Sequence, residues 1–221
     1  MSREIRMTPS ILNADFSQLQ YEIERIAQVS DFVHLDVMDN IFVPNFTFDF
    51  ESAHKIINSS ALPVDAHLMV ANCDEMGPAY AEIGCASVTV HAEATEKISQ
   101  TLKAIRSTGA RSGLAIKPNT SIEEYIDFSD DVDMFLIMTV EPGFGGQSFM
   151  EEMLPKIRRT REIIGSRSIW LQVDGGISID TIERAAEAGA DTFVAGSAVF
   201  KADDPAVMVT SLRNLAENMA D

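Results

Sequence analysis

Residues 32–38 read Phe-Val-His-Leu-Asp-Val-Met. The run is too short for a typical helix, and it is nearly continuous in apolar, partly β-branched residues. That is the pattern of a strand covered on both faces, as in a parallel sheet. His34 and Asp36 interrupt it two residues apart, so a strand points both side chains to one face. An imidazole and a carboxylate facing a dry interior need partners or a metal ion.

Seven further runs of the same kind lie at 7–12 (MTPSIL), 64–70 (VDAHLMV), 87–92 (SVTVHA), 111–117 (RSGLAIK), 134–140 (MFLIMTV), 169–174 (IWLQVD) and 192–196 (TFVAG). Helical patterns separate them. Phe16, Leu19, Ile23 and Ile26 recur at helical spacing, as do Ile182, Ala185, Ala186 and Gly189. Asp180 and Glu183 stand at capping-box spacing before the second of these. Asp204-Pro205 predicts the start of the last helix, with an apolar stripe at Met208, Leu212, Leu215, Ala216 and Met219. Eight strand–helix units in 221 residues, with no proline- or serine-rich linker, predict a single domain over 1–221. The expected fold is α/β, a closed (β/α)8 TIM barrel. An open doubly wound sheet is the alternative, but no G-x-G-x-x-G follows the first strand.

In such a barrel the chemistry sits at the C-terminal ends of the strands. His34 and Asp36 on strand two, His67 on strand three and Asp174 at the end of strand seven occupy such places. Together they form a candidate site for one divalent cation per subunit, with zinc, iron(II), manganese or cobalt all acceptable. His91 also lies near a strand end, and His54 falls in a helical stretch.

Glycines follow three consecutive strands: Gly143, Gly145 and Gly146 in EPGFGGQS, then Gly175-Gly176, then Gly196 before Ser197. Glycine lets backbone N–H groups approach an anion closely. A backbone cradle suits this chain, whose 34 acidic and 17 basic residues give a formal charge of −17. So acidic a body repels nucleic acid and anionic membranes, and neither is expected as a partner. Two cysteines without a CxxC motif read as reduced thiols, and the N-terminus has no leader-like apolar run, so a cytoplasmic location is expected.

The stretches PSILNADF (9–16), VHLDVMDNIFVPNFTF (33–48), VDAHLMV (64–70), GLAIKPNTS (113–121), MTVEPGFGGQSFM (138–150), VDGGI (173–177) and AGSAVF (195–200) resemble the ribulose-phosphate 3-epimerase family in order and spacing. The resemblance implies a metal-dependent isomerase that interconverts D-ribulose 5-phosphate and D-xylulose 5-phosphate. It implies a homo-oligomer acting on a small sugar phosphate in the pentose phosphate pathway. His34, Asp36, His67 and Asp174 match the family's metal ligands. Asp36 matches the proton acceptor and Asp174 the donor, for transfer at C3 through an enediolate. Ser10, His67, Gly143, Phe144, Gly145, Gly146, Gly175, Gly176, Gly196 and Ser197 match its substrate contacts. Met38, Met69 and Met138 would line a dry wall beside the reacting carbon.

Two places depart from the family pattern: Asn40 stands where glycine is usual, and Phe46–Phe50 is bulkier than the usual continuation. Both bear on the loop after strand two. Three other functions fit the same residues: epimerisation of another ketose phosphate such as allulose 6-phosphate, metal-assisted hydrolysis, and sugar-phosphate binding without turnover.

Overall fold

A computed structural model describes residues 3–220. Its eight strands are β1 (Arg6–Met7), β2 (Val33–Met38), β3 (Val64–Met69), β4 (Ser87–His91), β5 (Arg111–Ile116), β6 (Met134–Met138), β7 (Trp170–Asp174) and β8 (Thr192–Val194). All pair in parallel, in the order β1-β8-β7-β6-β5-β4-β3-β2. The ring closes between the two ends of that order: Ser10 bridges His34 in parallel, and the His34 N–H donates to Pro9 O at 2.9 Å. The sheet is therefore a barrel, as the eight apolar runs predict.

The first strand is shorter than 7–12. Pro9 has no N–H to give to a ladder, and the chain turns into a 3-10 helix at Ile11–Asn13. Every residue of β2, β3, β4, β6 and β8 is buried, because helices cover the outside and side chains fill the inside. The cover is α1 (Leu19–Ile26), α2 (Phe50–Ser59), α3 (Cys73–Glu82), α4 (Ile98–Ser107), α5 (Leu154–Ile164), α6 (Ile182–Glu187), α7 (Ser197–Phe200) and α8 (Pro205–Glu217). A 3-10 helix at Ile122–Phe128 replaces a full α-helix between β5 and β6.

The helices form where capping and apolar spacing agree. Asp204 accepts from the N–H groups of Ala206 and Val207 and starts α8, with Pro205 in the first turn. In α4, Leu102 and Ile105 are fully buried against the barrel, each worth roughly 1.5–3 kcal/mol of hydrophobic stabilisation. The box expected at Asp180 and Glu183 does not form. Thr181 stands just before α6, at the capping position, and makes no side-chain cap, while its hydroxyl accepts from Ser178 N–H instead. A local side-chain turn has taken the group that the helix would have used. Phe16 lies in the 3-10 turn before α1 and is half exposed, so only Leu19, Ile23 and Ile26 carry that helix's stripe.

Inside the barrel the strand period sorts residues into layers. The register pairs His34 with Asp65, and Asp36 with His67. It pairs Leu136 with Gln172 and Met138 with Asp174. At the N-terminal floor the Arg6 and Arg111 guanidiniums lie over the Trp170 ring, at 4.1 and 3.6 Å from its centroid. The opposite, C-terminal mouth is open and carries the glycine loops.

Candidate metal centre and active site

His34 and His67 have no exposed surface, and Asp36 is 4% exposed. One ligand atom from each of His34, Asp36, His67 and Asp174 lies within 4.8 Å of all the others. His34 Nε2 is 3.4 Å from Asp36 Oδ1. His67 Nδ1 is 3.1 Å from the same oxygen and 3.5 Å from Asp174 Oδ2. Ligands around a first-row divalent ion, each roughly 2.0–2.2 Å from it, stand about this far apart. His34 Nε2 is buried and has no hydrogen-bond partner. A buried nitrogen without a hydrogen-bond partner, clustered with two carboxylates, fits a cation among them, and the donor set fits zinc, iron(II), manganese or cobalt.

The charges reinforce one another. Burial works to raise the Asp36 pKa, but His34 and His67 outweigh it and hold the carboxyl far below the usual range. Burial works against a positive His34, but Asp36 and Asp65 overcome it and raise its pKa well above that of a free imidazole. The same burial opposes a positive His67, and Asp174 and Asp36 overcome it in turn and raise that pKa. His91 goes the other way: burial dominates and pushes it down to about 4.

A second polar layer supports the first. His34 Nδ1 is 2.8 Å from Asp65 Oδ2, which also accepts from Gln172 Nε2 at 2.7 Å. His67 Nε2 is 2.9 Å from His91 Nε2, and His91 Nδ1 is 3.1 Å from Glu93 Oε2. Ser10 Oγ donates to Asp36 Oδ2. Thr47 Oγ1 donates to Asp36 O and accepts from Met38 N–H, fixing the end of β2.

Above the cluster one cavity is lined by Ser10, Asp36 and Asp174, by Met38, Met69 and Met138, and by every glycine chosen from the sequence together with Phe144 and Ser197. His67 does not line it. The structure places that side chain in the ligand cluster below rather than on the cavity wall, because Asp36 and Asp174 reach further towards the mouth. Gly175 and Gly176 have φ of 122° and 68°, and a Cβ on Gly176 would sit 2.3 Å from Phe149 N. Only glycine permits that turn and that approach.

Several contributors were not singled out from the sequence. Asp65 and Gln172 stand two residues before His67 and Asp174, so the period-two rule that paired His34 with Asp36 would have found both. Asn13 shows only in space: its side chain fills the room beside Gly145 and Gly196, where a Cβ on either would meet Asn13 Oδ1 at 2.8 and 2.7 Å. Asn45 Nδ2 donates to Gly143 O at 2.9 Å and ties the loop after β2 to the loop after β6. Asn40 has φ of 59°, in the left-handed region that glycine favours and asparagine tolerates. The bulky segment after it is held by an antiparallel bridge from Asp39 to Phe46.

Residues 6–200 match the sequence model of the ribulose-phosphate 3-epimerase family. The chain belongs to the ribulose-phosphate 3-epimerase family. It is therefore an isomerase by class, and all four clustered residues lie within the matched span. It is 47% identical over 212 residues to a ribulose-phosphate 3-epimerase of Mycobacterium bovis, covering 95% of this chain and 92% of that one. It is 43% identical over 209 residues to ribulose-phosphate 3-epimerase 1 of Cupriavidus necator, covering 91% and 87%. Among solved structures, 3-hexulose-6-phosphate synthase from Salmonella typhimurium superposes with a TM-score of 0.73 at 16% identity, over 97% of this chain and 100% of that one. KGPDC from Streptococcus mutans gives 0.72 at 14% identity, over 99% and 100%. At such identities these two structures speak for the barrel alone. No helix among the described residues is long and apolar enough to cross a membrane.

Proposed function

We propose that this family member interconverts D-ribulose 5-phosphate and D-xylulose 5-phosphate by moving the proton at C3 from one face of the sugar to the other. The observation that carries the reading is the placement of Asp36 and Asp174. They come from β2 and β7, face the same cavity and converge on His67 Nδ1. Inversion at a carbon beside a carbonyl needs an acid and a base on opposite faces. Asp36 is the acceptor in one direction and Asp174 the donor, with the roles exchanged in the other. Ser10 holds the second oxygen of Asp36 and so aims the first, and its position on the cavity wall supports a contact with a substrate hydroxyl.

His34, Asp36, His67 and Asp174 would hold one divalent cation, which when bound supplies stabilisation of the negative charge that develops on the sugar oxygens. Met38, Met69 and Met138 give the enediolate a wall with no proton to donate. Backbone N–H groups of the loops at 143–146, 175–176 and 196–197 take the phosphate, which lets an acidic protein bind an anion by local means. Phe144, 54% exposed at the mouth, lies where it can cover bound substrate, and Gln147 Nε2 braces its loop by donating to Glu141 O and Phe144 O at 2.7 and 2.9 Å.

The test is a coupled assay of metal-quantified protein on D-ribulose 5-phosphate beside allulose 6-phosphate. Fast formation of D-xylulose 5-phosphate that chelation abolishes and added metal restores is the expected result. Faster turnover of the hexulose would reassign the substrate. Full activity in verified metal-free protein would remove the cation from the mechanism.

A further inference from the structure

We propose that Glu93 and His91 set the proton positions on His67, so that a carboxylate two side chains away selects the tautomer in which His67 offers Nδ1 to a divalent cation. This rests on the cation site proposed above and assigns to His91 and Glu93 the part of positioning residues.

The chain of contacts is continuous. His67 turns Nδ1 to the carboxylates of Asp36 and Asp174, and its Nε2 lies 2.9 Å from His91 Nε2. Two ring nitrogens at that distance share one proton: one donates and the other accepts. Which does so is decided at the far end. His91 Nδ1 is 3.1 Å from Glu93 Oε2, and an ionised carboxylate can only accept. The proton of a neutral His91 is therefore on Nδ1, its Nε2 is bare, and His67 Nε2 must carry the shared proton. A neutral His67 is then bare at Nδ1, which is the atom facing the cluster.

The opposite arrangement places the shared proton on His91 Nε2. It needs either a bare His91 Nδ1 against Glu93 Oε2, acceptor against acceptor, or a second proton on a ring with no exposed surface. Glu93 is itself fixed from a neighbouring strand's end, because its Oε1 accepts from Lys117 N–H at 2.8 Å. The Phe42 ring packs against His91 with centroids 4.8 Å apart, and Thr95 Oγ1 donates to His91 O at 2.6 Å, so both the ring and the backbone of His91 are held. Hydrogen bonds to the second nitrogen of a ligating histidine orient the ring and fix its tautomer. Here that service is relayed through a second imidazole.

The chain has four histidines, so long-range proton–nitrogen correlation of their rings in the zinc-loaded protein is tractable. The expected spectrum shows zinc shifts at His34 and His67, with His67 protonated on Nε2 and His91 on Nδ1. His91 protonated on Nε2, or doubly protonated, with zinc still on His34 and His67 would overturn the relay and leave the cation site standing. Zinc that shifts neither His34 nor His67 would remove the cation site and the relay together. In parallel, His91→Phe keeps a ring against Phe42 but removes the acceptor. Its cobalt(II) dissociation constant, read by competition with a chromophoric chelator, is expected to rise by about 10–100-fold with a changed cobalt absorption spectrum. Glu93→Gln, which can present an amide donor to His91, is expected to weaken binding less and to mix the His91 tautomers. Wild-type cobalt affinity and spectrum in both folded variants would overturn the proposal.

Discussion

His34 and Asp65 face each other across the β2–β3 register, with ring Nδ1 2.8 Å from carboxylate Oδ2. The carboxylate also takes the amide of Gln172 from β7, so one buried oxygen joins three strands of the barrel.

Removing that oxygen should cost stability as well as metal binding. Asp65→Ala leaves His34 Nδ1 without its partner and Gln172 Nε2 with Thr8 Oγ1 alone, and truncating one partner of a buried charged pair typically costs about 3–5 kcal/mol. Denaturant unfolding of metal-free protein should show a loss of that size. An unchanged midpoint would mean that water takes the place of the lost carboxylate.

Asp36→Asn and Asp174→Asn should each fold and each lose turnover, by about 10²–10⁴-fold if the proton transfer is the step removed. Steady-state assays in both directions, at saturating metal, are the measurement. A variant with near-normal turnover would take its aspartate out of the proton path.

The metal-free protein should be most stable near neutral pH. His91, which burial holds at about 4, binds its proton less readily folded than unfolded. Its contribution is present above the unfolded value of about 6.5 and is lost as pH falls towards 4. His34 has the opposite sign. Despite burial, Asp36 and Asp65 raise its pKa, so its contribution is present below about 6.5 and is lost as pH rises through the folded value. Unfolding of chelated protein from about pH 4.5 to 8.5 should therefore pass through a maximum. Zinc should flatten the alkaline side, where it replaces the proton on His34. A stability that rises steadily across the range would contradict the assigned signs.

Gly176→Ala should damage the phosphate loops more than the metal cluster. The added Cβ meets Phe149 N at 2.3 Å at a φ of 68°, a strain of about 1–3 kcal/mol. The expected result is a lower melting temperature and a raised KM for sugar phosphate, with cobalt affinity unchanged. Unchanged KM would place the phosphate elsewhere.

The barrel could be read from the chain because buried parallel strands announce themselves as continuous apolar runs, and eight such runs leave few topologies. The cluster of His34, Asp36, His67 and Asp174 could be read for a related reason. A histidine or aspartate inside such a run has nowhere dry to go without a partner. Local signals did less well where side chains had a choice of bond. Ser178 and Thr181 bond each other rather than completing the box at Asp180 and Glu183. Pro9 cut the first strand short, and barrel closure there rests on the bridge from Ser10 to His34 and on the Asp31 N–H that donates to Met7 O.

By itself, the sequence determined the strand and helix alternation, the face shared by His34 and Asp36, and the glycines that make an anion cradle possible, since these depend on local period and backbone freedom. Tertiary structure alone decided which polar groups meet. Asp65 reaches His34, Glu93 reaches His67 through His91, and Asn13 lies between Gly145 and Gly196, because register and barrel closure bring distant strands within hydrogen-bond range. No period along the chain encodes that stagger.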